Sequence, residues 1–249
     1  MEIIDFHSHL GKSWLAIEQE TTDAKGLVAK YDAAGVAKAC INSWNITYDP
    51  ISGNDEIAKA VKEYPDKFIG FGVISPRYAT AVEEVSRCLG VLGMKGIKMH
   101  PTVNMWYADS PIVYPVMEKI AEYKVPVLLH TSGDDMSNPR RVARLAEKFP
   151  TVPIVMAHMG GKDWLDASFI ARDHKNVYMD TAEFTNEIRI LKEAVRIAGA
   201  GKILFGTDAP GSVIQAEIAK ITYGDISEEA KELILGKNAK TLLGLKRGL

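Results

Sequence analysis

Short apolar segments rich in Val and Ile alternate with longer segments of helical periodicity along most of the chain. The apolar segments predict eight strands, at residues 2–7, 38–42, 67–74, 93–99, 125–129, 153–157, 177–180 and 203–206. Each is a nearly continuous apolar run, which is typical of parallel strands that helices cover on both faces. The segments between them predict helices at residues 23–34, 54–63, 80–89, 111–123, 140–149, 162–173 and 187–198.

Eight strand–helix units in 249 residues predict one (β/α)8 TIM barrel, a single domain that spans residues 1–249. Two further helices, at residues 212–223 and 227–235, and a last segment at 238–245 follow the eighth strand. A doubly wound open sheet is the alternative, and it is disfavoured because no Gly-x-Gly-x-x-Gly motif follows the first strand. The chain is 47% hydrophobic and 25% charged, which allows a sizeable core.

Five of the six histidines fall at the carboxyl end of a predicted strand, where the functional residues of such barrels lie. They are His7, His9, His100, His130 and His158, and Asp208 ends the eighth strand in the same way. The sixth, His174, lies in a polar turn between a helix and a strand, and we expect it at the surface. One histidine at a strand end is more often structural than catalytic, so the inference depends on all of them together.

The first strand ends in a His-x-His pair, His7 and His9. Residues two apart on a strand share a face, so both imidazoles are expected to point the same way, with Asp5 one step deeper as a partner or a cap. Five imidazoles and a carboxylate on one rim would be a costly set of buried polar groups without a cation to coordinate. We therefore predict a divalent metal ion at His7, His9, His130 and Asp208. This donor set suits Zn²⁺, with Mn²⁺ or Fe²⁺ as alternatives.

The charge balance disfavours several classes of partner. The formal net charge is −2, the pI is about 6.3 and no basic stripe occurs, so we expect neither nucleic acid nor an anionic membrane to bind.

No apolar run approaches the roughly 20 residues of a membrane helix, and the first residues show no signal-peptide pattern. Cys40 and Cys88 are far apart and not in a metal-binding spacing. A cytoplasmic protein that acts on a small molecule is the expectation.

Six sequence blocks carry a resemblance to a known family. They are Asp5-Phe6-His7-Ser8-His9, Gly96-Ile97-Lys98-Met99-His100-Pro101, Leu129-His130-Thr131, Ala157-His158-Met159-Gly160-Gly161, Gly206-Thr207-Asp208-Ala209-Pro210 and Asn238-Ala239-Lys240-Thr241-Leu242-Leu243-Gly244-Leu245. Over nearly its whole length the chain resembles the amidohydrolase superfamily, and within it the amidohydrolase-2 branch. That branch includes proteins similar to aminocarboxymuconate-semialdehyde decarboxylase. The resemblance implies a single metal ion held by His7, His9, His130 and Asp208, and a catalytic role for His158.

Two reactions fit such a site. The first is hydrolysis of an amide, lactone or ester by a metal-activated water. There Asp208 takes the proton of the water and passes it to the leaving group, and His158 polarises the substrate carbonyl or orients the water. The second is the non-oxidative decarboxylation of an unsaturated or aromatic acid on the same metal. Hydrolysis is the first expectation. A metal-binding protein without enzymatic activity is disfavoured, because the ligand set is complete.

Further residues near the strand ends are candidates for binding substrate: Lys98, His100, Arg77 and Trp106. Arg77 could pair with a substrate carboxylate, but an exposed surface arginine is the favoured interpretation. Trp106 and Trp44 could form an apolar wall for the substrate, or each could equally be a core or lid-packing residue. Asp180 is expected to be a supporting acid or a loop cap. A carboxylated Lys98 would allow a second metal ion, as in some members of the superfamily, but a lysine paired with a carboxylate or an acidic substrate is favoured. Barrels of this branch often pair, so a homodimer is one option.

Overall fold

A computed structural model of the protein describes residues 1–11, 23–46, 49–183 and 187–245. Eight parallel strands follow one another in chain order around a (β/α)8 barrel. The strands are β1 (Ile3–Leu10), β2 (Val36–Ser43), β3 (Phe68–Val73), β4 (Gly96–Met99), β5 (Val127–Leu129), β6 (Ile154–Met156), β7 (Val177–Asp180) and β8 (Ile203–Leu204). The predicted barrel is confirmed, and the doubly wound alternative is not formed.

Helices connect the strands and cover the outside of the barrel. They are α1 (Ala24–Ala34), α2 (Pro50–Glu63), α3 (Ala81–Ser86), α4 (Tyr114–Tyr123), α5 (Pro139–Lys148), α6 (Trp164–Asp173), α7 (Ile188–Ala198), α8 (Ile214–Thr222), α9 (Glu228–Glu232) and α10 (Asn238–Leu242). The last three follow β8, where the sequence predicts two helices and a further segment. Within the described residues, no helix is both long enough and apolar enough to cross a membrane.

The helix predicted at residues 80–89 differs from the observed one. The α-helical part, α3, ends at Ser86, and a π-helical turn, Arg87–Val91, continues it. The side chain of Arg87 donates from Nε to Glu84 (2.7 Å) and from Nη1 to Asp55 of α2 (2.6 Å). A π-turn shifts the helical register by one residue, which apolar periodicity over ten residues does not reveal.

The first strand and the segment after the last one close the barrel. Phe6 N donates to Phe205 O at 2.8 Å, and His9 N donates to Ala209 O at 2.7 Å. Between these two bonds, Asp208 N donates to His7 O at 2.8 Å. The histidine pair and the aspartate therefore lie side by side across this seam, although they come from opposite ends of the sequence.

Apolar side chains fill the barrel below its mouth. An interior cluster includes Phe6, Phe71, Leu128 and Val155. The rings of Phe6 and Phe71 meet edge to face with their centroids 5.3 Å apart. A second, larger cluster lies between the strands and the surrounding helices. Polar groups inside the barrel are therefore concentrated at the carboxyl ends of the strands.

A β-bulge interrupts β1 near its middle. Asp5 pairs with Ala39 and Ser8 pairs with Ile41, so three residue steps of β1 match two steps of β2. One residue of β1 is therefore extra, which is the defining feature of a bulge. Ala39 and Ile41 both belong to the outer apolar cluster, so their partners Asp5 and Ser8 also face out of the barrel.

The bulge overturns one prediction from the sequence. Phe6 faces the barrel interior, whereas Asp5 faces outward and accepts a hydrogen bond from Tyr31 Oη of α1 at 2.6 Å. His7 and His9 follow the extra residue, and their side chains meet Asp208 inside the mouth. The prediction that Asp5 shares a face with the histidines is wrong, because two-residue alternation does not persist across a bulge.

Candidate metal centre

Side chains from three parts of the barrel converge at its carboxyl end. Asp208, after β8, places Oδ1 3.0 Å from His7 Nε2 and 2.9 Å from His9 Nε2. One ligand atom from each of these three buried residues lies within 4.8 Å of the others. Lys98, from β4, places Nζ 2.7 Å from His7 Nε2.

The hydrogen bonds of His7 indicate where its proton lies. Nδ1 is 3.0 Å from Asp180 Oδ2, and because a carboxylate only accepts, Nδ1 carries the hydrogen of the neutral ring. Nε2 then directs a lone pair toward Asp208 Oδ1, which is also an acceptor, at 3.0 Å. Two acceptors this close need a positive charge beside them. The arrangement therefore fits a metal cation.

Burial sets the protonation of these groups. It lowers the pKa of His7, and the charge of Lys98 acts in the same direction; it lowers the pKa of His9 to about 4. Burial alone would raise the pKa of Asp208, but its contacts with His7 and His9 hold that pKa well below the usual value. At neutral pH the site therefore offers two neutral imidazoles and a carboxylate, which are the forms that bind metal ions.

Lys98 is a second source of positive charge in the same place. The residue is 1% exposed, and burial lowers its pKa to about 8 against the opposing influence of Asp208 and Asp180. The amine is therefore mostly protonated at pH 7 and donates to His7 Nε2. A metal ion on that nitrogen would compete for the same lone pair. The ammonium group would then be available to another acceptor at the mouth.

Three further imidazoles form a connected group. His158 Nδ1 lies 2.8 Å from Ala182 O, so in the neutral ring it carries the hydrogen and leaves Nε2 as an acceptor. His130 Nδ1, at 3.2 Å, donates to that Nε2, so the Nε2 of a neutral His130 keeps a lone pair. His100 stacks on His130 with ring centroids 3.7 Å apart. This tautomer leaves His130 able to bind a metal.

His130 stays a predicted ligand. Among the residues that the structure describes, the group whose ligand atoms lie close together consists of His7, His9 and Asp208. His158 lies between His7 and His130, with its ring centroid 5.1 Å from that of His7 and 4.9 Å from that of His130. The catalytic role of His158 also stays a prediction.

Asp180 acts both as a supporting acid and as a loop cap, the two options that the sequence left open. Its Oδ2 accepts from His7 Nδ1, and its Oδ1 accepts from His158 N (3.1 Å) and Ala182 N (3.0 Å). Burial would raise the pKa of Asp180, but the contact with His7 keeps it below the usual value. One carboxylate thus positions His7 and the turn that carries His158.

His9 is held by a different contact. The Trp44 ring stacks on it, with the centroids 3.7 Å apart and the planes 17° from parallel. Its Nδ1 is buried and has no hydrogen-bond partner in the described part of the chain. The sequence suggested Trp44 as an apolar wall for substrate, and the structure places it against a candidate ligand.

The structure does not show the remaining candidates in contact with these ligands. Arg77 is exposed, and its Nη1 donates to Met105 O at 2.9 Å. Trp106 is 4% exposed and belongs to the outer apolar cluster. Substrate binding by Arg77, Trp106, Lys98 or His100 stays a prediction. His174 lies between α6 and β7, at the other end of the barrel, with Nε2 3.3 Å from Glu147.

Two partners of Asp5 were missed by the analysis of the sequence. Thr207 donates to it from both N (3.0 Å) and Oγ1 (2.5 Å), and Tyr31 donates from Oη. Thr207 directly precedes Asp208 in one of the six blocks that carry the family resemblance, which offered a signal. Tyr31 lies one turn after Leu27 on the buried side of α1, where its hydroxyl needs a polar partner.

Comparison with known protein families shows which family the chain belongs to. The profile of the family described as Amidohydrolase, Amidohydro_2, matches residues 4–245. The chain belongs to this amidohydrolase family. The match includes every candidate ligand of the amidohydrolase, from His7 to Asp208. The resemblance inferred from the sequence blocks is therefore confirmed.

Curated relatives of the amidohydrolase include two decarboxylases. It is 27% identical over 236 residues to 2-amino-3-carboxymuconate-6-semialdehyde decarboxylase from Dictyostelium discoideum, across 77% of this chain and 65% of that protein. It is 24% identical over 249 residues to gamma-resorcylate decarboxylase from Polaromonas sp. strain JS666, across 78% of this chain and 76% of that protein. The chain thus spans just under two thirds of the length of the first relative.

The amidohydrolase also has the fold of solved structures. One is a dihydroxybenzoic acid decarboxylase from Polaromonas sp. JS666 with bound manganese and the inhibitor 2-nitroresorcinol. The TM-score is 0.79 at 20% sequence identity, over 99% of this chain and 98% of the other. At this identity the likeness shows the shared barrel.

Proposed function

We propose that this amidohydrolase is a metal-dependent carboxy-lyase that removes CO₂ from an unsaturated or aromatic carboxylic acid. The observation that carries the proposal is the similarity to two decarboxylases, each across more than three quarters of the chain. Hydrolysis of an amide, lactone or ester, the first expectation from the sequence, becomes the alternative because neither of these relatives is a hydrolase.

The charge of the barrel mouth supports an anionic substrate. Asp180 and Asp208 keep a low pKa and are ionised, and Lys98, with a pKa of about 8, is mostly protonated at pH 7. With His7 and His9 neutral, the side chains of Asp180, Asp208 and Lys98 together carry one net negative charge, and a divalent ion would change this to one net positive charge. A monoanionic carboxylate would balance this positive charge more fully than a neutral ester or amide would. Glu183, which interacts with Asp208 and whose pKa burial raises to about 7, supplies part of the balance at pH 7.

His7, His9 and Asp208 would hold the metal, with His130 as the proposed fourth ligand. Bound there, a divalent ion supplies a Lewis acid for the oxygen atoms of the substrate carboxylate. Mn²⁺ is the ion in the structural relative, and Zn²⁺ or Fe²⁺ are alternatives because nitrogen and oxygen ligands discriminate weakly among these ions. We propose one ion, with Lys98 as an ammonium group and not as a bridging ligand.

The side chains of the chain account for the other requirements of the reaction. The bond between the carboxyl carbon and its neighbour breaks, the electron pair stays on that neighbour, and the neighbour must then gain a proton. Because Asp208 is ionised, one proton must first enter from solvent, and we propose that Asp208 and His158 hold this proton and deliver it to the neighbouring carbon. Lys98 is proposed to pair with the carboxylate before CO₂ leaves. His100, Arg77 and Trp106 are proposed to contact the rest of the substrate.

We also propose that the protein acts in the cytoplasm on a small molecule, as a monomer or a homodimer, without nucleic acid or membrane partners. The net charge of −2 and the two well-separated cysteines support this setting.

The proposed activity is tested with a substrate panel. The protein is stripped with a chelator and reloaded with Mn²⁺ or, separately, with Zn²⁺. Dihydroxybenzoates and muconate-type acids form one arm, and lactones, esters and amides form the other. CO₂ release and hydrolysis are both measured in every reaction, and chelated protein is the control. We expect metal-dependent CO₂ release from at least one acid, with no hydrolysis in the other arm.

The opposite pattern would overturn the proposal. Metal-dependent hydrolysis of a lactone, ester or amide, without CO₂ release from any acid, would assign the site to the alternative reaction.

A further inference from the structure

The bulge in β1 determines which side chains can reach the metal centre. Phe6 faces the barrel interior, so regular alternation would turn His7 outward, toward the helices, and would do the same to His9. The extra residue between Asp5 and Ser8 resets the alternation. Without it, the His-x-His pair would lie on the wrong face of the strand.

The carboxylate of Asp5 lies directly at this bulge and is fully buried. Its Oδ1 accepts from His7 N and from Thr207 N, both at 3.0 Å. Its Oδ2 accepts from Tyr31 Oη at 2.6 Å and from Thr207 Oγ1 at 2.5 Å. Four donors from three different elements therefore meet at one side chain, which matches the acceptor capacity of a carboxylate.

These contacts connect the two segments that carry the candidate ligands. One bond holds the backbone of His7 itself, and two hold Thr207, the residue before Asp208. The Tyr31 hydroxyl fixes the carboxylate to α1, outside the barrel. The same side chain therefore adds to the backbone hydrogen bonds that hold β1 beside the segment after β8, across which His7 Nε2 and Asp208 Oδ1 lie 3.0 Å apart.

We propose that Asp5 is a positioning residue for the metal site: it stabilises the bulge that turns His7 and His9 inward and holds them in register with Asp208. This inference rests on the metal site of the proposed function, but not on the reaction carried out there. Asp5 itself faces away from the barrel interior, toward Tyr31 of α1, so it would touch neither substrate nor metal. Its effect on binding is transmitted through the backbone of His7 and Thr207.

The measurement is Mn²⁺ binding to the metal-free protein by isothermal titration calorimetry. Asp5→Ala removes all four acceptor contacts, and Tyr31→Phe removes only the one to α1. Loss of a group that orients metal ligands typically costs about 10–100-fold in metal affinity, so we expect a loss of that size for Asp5→Ala. A smaller loss is expected for Tyr31→Phe. Circular dichroism and thermal unfolding of each metal-free variant show whether the fold is retained.

Asn54→Ala is the matched control. Asn54 is also fully buried, and its side chain also holds the backbone of a strand, donating to Val73 O at 3.1 Å and accepting from Val73 N at 2.7 Å. It bonds neither β1 nor the segment after β8. We expect Asn54→Ala to lower the melting temperature while leaving the Mn²⁺ dissociation constant close to that of the wild type.

Two results would overturn the inference. The first is a folded Asp5→Ala protein that loses stability like the Asn54→Ala protein but binds Mn²⁺ as tightly as the wild type. If Asp5→Ala does not fold, Asp5→Asn and Tyr31→Phe provide the test. The second result that would overturn the inference is wild-type Mn²⁺ affinity in both of these variants. The titration contains no substrate, so a failure to release CO₂ in the substrate panel would leave this test unaffected.

Discussion

The two histidines of β1 differ in how their second ring nitrogen is satisfied. His7 donates Nδ1–H to Asp180 at 3.0 Å, the kind of contact that fixes the tautomer and direction of a metal-binding imidazole. His9 has no such acceptor within the described ranges, and its ring is held by stacking on Trp44 instead. His7 is therefore the more firmly placed of the two donors.

Asp208→Asn tests the residue that contacts both histidines. The amide has the same shape but carries no charge and cannot take up or deliver a proton, so we expect activity to fall about 100-fold or more. The melting temperature of the metal-free variant should stay close to that of the wild type, because the side chain is replaced by one of equal size. Activity is measured as metal-dependent turnover, and stability as thermal unfolding.

His174→Ala is the control for that substitution. His174 lies at the other end of the barrel, and its side chain bonds only Ile170 O and Glu147 within the described chain. Both activity and stability should be nearly unchanged, within about 0.5 kcal/mol for a contact at the surface. Lost turnover in this variant would show that the histidines have been assigned to the wrong ends of the molecule.

The positions of the site residues could be predicted from the sequence, but most of their contacts could not. His7, His9 and Asp208 were expected together because each ends a strand. The outward direction of Asp5 could not be foreseen, since a bulge leaves no periodic signal. The contact between Lys98 Nζ and His7 Nε2 depends on the shape of the closed barrel, which no spacing along the chain encodes.

The turn between β6 and α6 has an unusual backbone. Four consecutive residues have positive φ: His158 (56°), Met159 (49°), Gly160 (83°) and Gly161 (59°). Such conformations are costly for residues other than glycine, and they tend to occur at functional sites. Here the turn brings His158 N to Asp180 and the His158 ring to His130.

Gly160→Ala tests how tightly this turn is packed. An alanine Cβ at this position would lie 2.7 Å from Ala167 Cβ and 2.9 Å from Pro139 Cγ. We expect about 1–2 kcal/mol of destabilisation from the left-handed backbone and about 1–3 kcal/mol more from overpacking. Turnover should fall as well, because His158 lies two residues earlier. The free energy of unfolding is measured by chemical denaturation.

Gly35→Ala separates the two contributions. Gly35 ends α1 with φ 72° and ψ 20°, and an added Cβ there meets nothing within 4 Å. This variant should show the cost of the left-handed backbone alone and keep full activity. Equal destabilisation by the two substitutions would mean that the β6–α6 turn can relax around the extra methyl group.

All eight strands were predictable because each is a compact apolar run between polar helical segments. The residues at which the strands end were less predictable. The sequence predicts the eighth strand at residues 203–206, but regular pairing stops at Leu204. Beyond it, Thr207 N and Asp208 N both donate to His7 O, at 3.2 and 2.8 Å. This irregular pairing lies beside the bulge of β1, a contact between distant parts of the chain that the local sequence does not reveal.

The metal-free barrel should lose stability in mild acid. Burial lowers the pKa values of His7, His9, His100 and His130, that of His9 from the usual 6.5 to about 4. Below pH 6.5 the unfolded chain therefore binds more protons at these residues than the folded chain does. The free energy of unfolding consequently decreases as the pH is lowered. Burial also raises the pKa values of Asp5 and Glu183 to about 7 and those of Glu56 and Glu217 above their usual values, which acts in the opposite direction. We expect the four imidazoles to outweigh these carboxyls, because their usual pKa of 6.5 lies inside the interval between pH 7 and pH 5.

Thermal unfolding of metal-free protein between pH 7 and pH 5 measures this effect. We expect the melting temperature to decrease steadily across that interval. A melting temperature that is constant or higher at pH 5 would mean that the imidazoles at the mouth are not held neutral by the fold.

The seam between β1 and the segment after β8 has a consequence for how the enzyme matures. During translation the histidine pair leaves the ribosome long before Asp208 is made, and the pair faces inward only once the neighbouring strands are in place. A nascent chain therefore has no complete site to offer an ion. We expect uptake of the proposed metal ion to follow closure of the barrel, so that a newly made molecule gains its full set of ligands in one late step.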